Sequence, residues 1–230
     1  MNEFAAALAV FLAAHAVPAS PQVRTRLVGL LGLGPYLVGY SILSTGLLAW
    51  LVISARRADT VVLWSPSPWQ WHVTLLVMPM ALFLLVAGLL APNPLSVSLR
   101  QGGEPGAICT LTRHPVLWGF LLWALAHLPP NGDLASVVFF GTMAAFAAAG
   151  MPLLDVRARR RLGRVRWEAL RRPTSILPFA ALLGGRVGVQ GLQRLIVPGA
   201  AAGLLYAWFL AQGHALLIGP DPLAMLRALG

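Results

Sequence analysis

Four long stretches of this chain contain no Asp, Glu, Lys or Arg: Leu33–Ser54, His72–Ala91, Leu134–Leu154 and Leu195–Ile218. A helix needs roughly 20 apolar residues to cross the hydrocarbon core of a bilayer, and each stretch is about that long. Two shorter apolar runs, Phe4–Ser20 and Pro115–Leu128, depend on their flanks to reach across. The run Ile176–Leu183 is too short to cross and reads as a re-entrant or interfacial piece. The expected fold is all-α: a polytopic membrane bundle of about six transmembrane helices, one unit over residues 1–230. Composition agrees. Of 230 residues 58% are hydrophobic and 10% charged, against roughly 25% charged in a soluble domain. A soluble fold so apolar could not cover its own surface.

The formal charge is +10, and all seventeen basic residues are arginines. They sit mostly between the apolar runs, so membrane topology explains them more simply than nucleic acid does. With the N-terminus outside, fourteen arginines fall on the inner side and three, Arg56, Arg57 and Arg227, on the outer. Both termini are therefore expected on the outer side, with Trp64, Trp69 and Trp71 as an interfacial belt there. The start, Met1-Asn2-Glu3-Phe4, lacks the basic leader and cleavage pattern of a signal peptide, so the first helix is expected to be retained. A single cysteine, Cys109, excludes an internal disulfide and a cysteine-based metal cage. The breakers Pro129-Pro130-Asn131-Gly132-Asp133 predict a tight turn between antiparallel neighbouring helices. The arginine-dense segment Asp155–Arg172 reads either as a surface helix on anionic lipid or as a plain inner loop.

Ionisable groups inside a bilayer are costly and are functional candidates by default. Five histidines qualify: His15, His72, His114, His127 and His214. Neutral imidazole is a common metal ligand, and two facing histidines on a helical bundle suit a haem iron. The competing reading is interhelical hydrogen bonding. His72, beside Trp69 and Trp71, reads as interfacial. At Arg113-His114-Pro115 the proline suits the first turn of a helix. That places Arg113 and His114 at a helix N-terminus, where free backbone N–H groups favour an anion: a carboxylate, a phosphate or a haem propionate.

The block TRHPVLWGFLLWALAHLPPNGDLAS, Thr112 to Ser136, resembles the NnrU family of bacterial membrane proteins, to which plant 15-cis-zeta-carotene isomerase is related. The likeness continues through Gly150, Asp155, Trp167, Thr174-Ser175, Pro178-Phe179 and the tail from His214 to Pro220. At the start, His15 with Pro18, Pro21 and Arg24 also fits. The resemblance implies a haem b protein of the bacterial inner membrane with His15 and His127 as iron ligands. His114, with Arg113 beside it, is the third histidine of importance. It also implies a link to denitrification, in support of nitrite and nitric oxide reduction.

Depth along the helices makes a different pairing. Thirteen residues of helix, the separation of His114 and His127, rise about 20 Å. If the first and fourth spans are antiparallel, depth pairs His15 with His114, or His127 with His214. A bend near Pro18 would bring His15 and His127 to one iron. Four functions follow as expectations: a haem-dependent redox accessory or sensor in nitrogen-oxide respiration, a haem-dependent carotenoid isomerase, an S-adenosylmethionine-dependent lipid or isoprenylcysteine methyltransferase, and a non-catalytic assembly factor. The expected surroundings are the lipid bilayer, with an apolar small molecule or nitric oxide as ligand and no nucleic acid. The methyltransferases share the Arg-His-Pro at a helix start, but their later acidic motif is poorly matched by Asp155 and Glu168.

Overall fold

The computed structural model describes residues 1–16, 21–100 and 103–227. Among them the chain is helical, with one isolated antiparallel bridge between Val62 and Asp133. In order the helices are α1 (Asn2–Ala16), α2 (Pro21–Leu31), α3 (Leu33–Arg57), α4 (Pro68–Leu90), α5 (Pro115–His127), α6 (Leu134–Leu162), α7 (Arg164–Arg171), α8 (Ala180–Leu183), α9 (Ile196–Trp208), α10 (His214–Leu217) and α11 (Pro222–Arg227). A π-helical turn, Phe209–Gly213, joins α9 to α10. Four segments are long and apolar enough to cross a membrane: Leu33–Arg57, Pro68–Leu90, Leu134–Leu162 and Leu192–Leu217. The shorter apolar helices α1 and α5 stand at the other two expected spans. The helix α3 exposes Leu37, Val38, Ile42, Leu43, Leu48 and Ile53. A helix that is apolar all round and yet exposed in its own fold is one that meets lipid. The chain is an all-α membrane protein.

Local chemistry moves several boundaries. The helix α4 starts at Pro68, four residues before the expected His72. Proline suits its first turn, and the Ser67 N–H donates to the Gln70 side chain across 2.7 Å, half of a capping box. The segment of Arg24 and Arg26, expected as a loop, is the helix α2. The expected bend at Pro18 lies outside the described residues. The arginine-dense segment is helical but broken. Its first half prolongs α6 to Leu162, because Arg is a good helix former. Gly163, at a φ of 76°, then stops it and α7 begins. Of the Ile176–Leu183 run only Ala180–Leu183 is helical.

The chain packs as two compact units. The smaller holds Met1–Ser65 and Gly132–Phe139. In it α1 runs antiparallel to α3: the N-terminal amine meets Asp59 at 3.1 Å, and the Trp50 indole N–H donates to Glu3 across 3.3 Å. Phe4, Ala7 and Phe11 are buried along that seam. The Leu63 and Trp64 N–H groups both donate to the Gly132 carbonyl. The larger unit holds Pro66–Asn131 and Phe140–Gly230. Its centre is the antiparallel pair α4 and α5, which approach closely at Gly88 and Gly119. Small residues of this kind let membrane helices pack backbone to backbone. The Thr74 hydroxyl donates to the Ala126 carbonyl at one end of this pair, at 2.6 Å. The helix α6 also lies against α5: Phe140 stacks on His127 at 5.1 Å, and Gly150 faces Leu117. These contacts run antiparallel, as the breaker-rich turn predicts. On the other side of α4, the Tyr206 hydroxyl of α9 donates to the Leu75 carbonyl.

Candidate functional site

The larger unit buries a polar cluster where α5 begins. Helix α5 starts with Pro115 in its first turn and His114 as the capping residue, as Arg-His-Pro predicts. Arg113 is 3% exposed and His114 is fully buried. Buried charges need partners, and the partner is Asp155. It comes from α6, 42 residues along the chain. One Asp155 oxygen accepts a hydrogen bond from the Arg113 guanidinium. The other, Oδ1, lies 3.3 Å from His114 Nε2. The anion expected at this helix start is thus supplied by the chain's own carboxylate.

The remaining polar groups of the cluster come from two loops. In the loop after α4, the Ser96 hydroxyl is 2.9 Å from His114 Nδ1. The Asn93 side-chain amide donates to the Arg113 carbonyl, also at 2.9 Å. In the loop after α7, Arg113 Nε donates to the Thr174 hydroxyl, and the Arg113 N–H donates to the Ser175 carbonyl. The Thr112 hydroxyl and the Trp118 indole both donate to the Ile176 carbonyl at 2.8 Å. These bonds account for the Thr174-Ser175 stretch and seat the short apolar run after it against the start of α5.

Charge fixes the proton of His114. A lone pair on Nε2 would face a carboxylate, whereas an N–H there is attracted to it. With the proton on Nε2, Nδ1 accepts from the Ser96 hydroxyl. Among the described residues, neither Nε2 nor Asp155 Oδ1 has a well-aligned hydrogen-bond partner. The contact between His114 and Asp155 is therefore one of charge rather than an aligned hydrogen bond. Burial pushes the Arg113 guanidinium below its ordinary value, Asp155 opposes this, and repulsion from Arg171 and Arg186 adds to it.

Within the larger unit, His127 stands apart from this cluster. His127 ends α5, about 20 Å along the helix from His114. Its Nδ1–H donates to the Trp123 carbonyl one turn back at 2.8 Å, and its ring stacks on Phe140. His15 belongs to the smaller unit. Its Nδ1–H likewise donates one turn back, to the Phe11 carbonyl at 2.7 Å, and its ring packs against Phe11 and Tyr40. His214 Nδ1 bonds the Pro220 carbonyl, and His72 is exposed near the start of α4. The structure thus joins Arg113 and His114 in one site and does not add His127 to it.

The histidines and Arg113 were legible as candidates. Asp155, Ser96, Asn93 and Thr174 were not assigned to the site. Asp155 carried a usable signal, being a carboxylate directly after the apolar run Leu134–Leu154. Asp155 and Glu168 do not act as a pair: Asp155 is held by Arg113 and His114, and Glu168 by Arg171 at 3.2 Å.

Comparison with known proteins adds a family and a relative. The sequence model of a family described as NnrU protein matches residues 3–222. A chloroplastic 15-cis-zeta-carotene isomerase of Zea mays is 34% identical over 79 residues, covering 34% of this chain and 21% of the isomerase. The chain thus spans about a fifth of that relative's length. No solved structure matches it significantly.

Proposed function

The chain belongs to the NnrU family, and from that premise we propose that it is a haem b protein of the bacterial inner membrane. In this reading it serves nitrite and nitric oxide reduction as a redox accessory or sensor, with both termini on the periplasmic side. Its surroundings are the bilayer, and nitric oxide or an apolar small molecule is its ligand.

The observation that carries the proposal is the hydrogen bonding of His15 and His127. Each fixes its tautomer by donating Nδ1–H to the carbonyl four residues earlier. That tautomer puts the metal-binding lone pair on Nε2. Histidine ligands characteristically donate their other ring nitrogen in this way, which orients the ring and raises its basicity. Each imidazole is thus of a kind that suits a haem iron, and in this reading His15 and His127, the pair the family resemblance implies, are the residues that would hold it. When bound, the haem would supply one-electron chemistry, and with both histidines on the iron a diatomic ligand would bind only once one of them leaves. The chain's own contribution is to orient two imidazoles and to surround them with aromatic rings: Phe11 and Tyr40 at His15, Trp123 and Phe140 at His127. His114 and Arg113 hold the start of α5 beside Asp155.

A second reading, a haem-dependent carotenoid isomerase, is favoured by the maize relative's name and by the apolar helices that would admit a polyene. Both readings require haem. His15→Ala and His127→Ala should each abolish or shift the haem Soret band of the purified protein, and an unaltered band in either variant contradicts the ligand assignment. Growth of a deletion strain on nitrate or nitrite separates the readings. Impaired growth supports the denitrification role, and normal growth removes it.

A further inference from the structure

On the arginine-rich side of the larger unit, three guanidinium side chains meet at one opening. Arg171 and Arg172 come from the end of α7, and Arg186 from the turn after α8. Together with Pro173 they line a cleft of about 370 Å³. A second cleft of about 370 Å³ adjoins it through the shared Arg172, and is also lined by Arg164, Val165, Glu168 and Ala169.

The local charge does not balance. Glu168 is the carboxylate at hand, and it pairs with Arg171. Among the described residues, neither Arg172 nor Arg186 has an ion pair. Arg171 Nε is a buried N–H donor with no acceptor among the described residues. Its guanidinium lies 4.9 Å from the Trp167 ring centre, so the side chain is held in place rather than free in solvent. Arg186 is tied down by donating to the Thr174 carbonyl at 3.1 Å. Three crowded guanidiniums, two of them held in place, fit a group with several anionic oxygens, and phosphate matches their fork geometry.

The rim identifies the source of the phosphate. Val165 is 86% exposed in the adjoining cleft, and Leu183, three residues before Arg186, is 86% exposed as well. A free phosphate ion gains nothing from apolar neighbours. A phospholipid places its headgroup among arginines and its glycerol and acyl carbons against such side chains. The cleft follows α6, which leaves the apolar zone through the run Arg157 to Arg161. A helix end of this kind sits at the headgroup level.

We infer that Arg171, Arg172 and Arg186 form a binding site for the phosphate of an anionic phospholipid headgroup. The site is discrete, which distinguishes it from a diffuse attraction between basic residues and a charged membrane. Arg186 and Arg113 both bond Thr174, so an occupied site also steadies the loop that closes over the buried Arg113–Asp155 pair.

The test is native mass spectrometry of the full chain, released from detergent after titration with phosphatidylglycerol, with phosphatidylcholine, or with inorganic phosphate. The wild type should retain one phosphatidylglycerol with about tenfold or greater preference over phosphatidylcholine. Arg172→Gln combined with Arg186→Gln should weaken that retention by about tenfold. Arg24→Gln combined with Arg26→Gln removes the same charge elsewhere and should leave it within about twofold. Should the double variant fold poorly, Arg186→Gln alone, at an exposed side chain, should still weaken retention several-fold. Equal retention of both lipids overturns the site. So does an equal loss in the two double variants, or a single variant that binds like the wild type. Saturable binding of inorganic phosphate that displaces the lipid overturns the assignment to a headgroup.

Discussion

At the scale of single residues, Asp155 carries the most structural weight. It is the counter-charge of a guanidinium that is 3% exposed. Removing one member of a buried pair leaves the other uncompensated, at a cost of about 3–5 kcal/mol. Asp155→Ala should therefore lower the thermal midpoint of the detergent-solubilised protein markedly. Asp155→Ala with Arg113→Met should recover much of the loss, and a double variant no better than the single would show that the pair is not the cause. Cys109 gives a second residue-level expectation. Burial pushes its thiol up to about 12. Below about pH 9 the folded and unfolded chains both keep the proton, so its titration contributes nothing to stability. Above that, the unfolded chain ionises and the folded chain does not, and stability falls by up to about 1.4 kcal/mol per pH unit until about pH 12. Cys109→Ala should flatten that decline between pH 9 and 11. Iodoacetamide at pH 8 should leave the folded thiol unmodified and label it once denaturant is added. Rapid labelling without denaturant would refute the burial.

At the scale of elements, the long apolar helices were legible because hydrophobic run length is a strong signal, and their ends were less so because ends are set by local partners. His72 looks like a helix start only if Ser67, Pro68 and Gln70 are overlooked. The continuous Asp155–Arg172 segment breaks because one glycine adopts positive φ, and glycine does this without the strain another residue would meet. The pairing of α4 with α5 was not readable, since spans of equal apolarity give no address for their partners. The small residues now explain it. A Cβ at Gly119 would lie 2.6 Å from Leu85 Cγ and 2.8 Å from the Ala81 carbonyl oxygen. Gly119→Ala should thus force the helices apart, at a cost of about 1–3 kcal/mol. Gly141 in α6 has open space around its Cβ position. Gly141→Ala should be neutral or stabilising by about 0.5–1 kcal/mol. Chemical denaturation of the two variants compares them directly, and a harmless Gly119→Ala would contradict the close approach.

At the scale of the whole molecule, the fold class follows from four stretches without a charged residue, and the family from the block around Arg113 and His114. The buried cluster was half legible: Arg113 and His114 stand out because ionisable residues are rare in an apolar chain, as do His15 and His127 beyond it. Asp155 reads as the head of an arginine-rich segment until folding carries it to α5, and Ser96 and Thr174 lie in loops with no pattern to mark them. The division of labour among the histidines was not legible either. His114 faces a carboxylate and a serine, while His15 and His127 each donate Nδ1–H to the carbonyl four residues earlier. The most direct measurement is the absorption spectrum, oxidised and then reduced, of the purified chain with equimolar haem. The account predicts a Soret band and reduced-form bands of a histidine-ligated b-type haem, at one haem per chain. A purified, folded protein that shows no Soret band, with or without added haem, would contradict it.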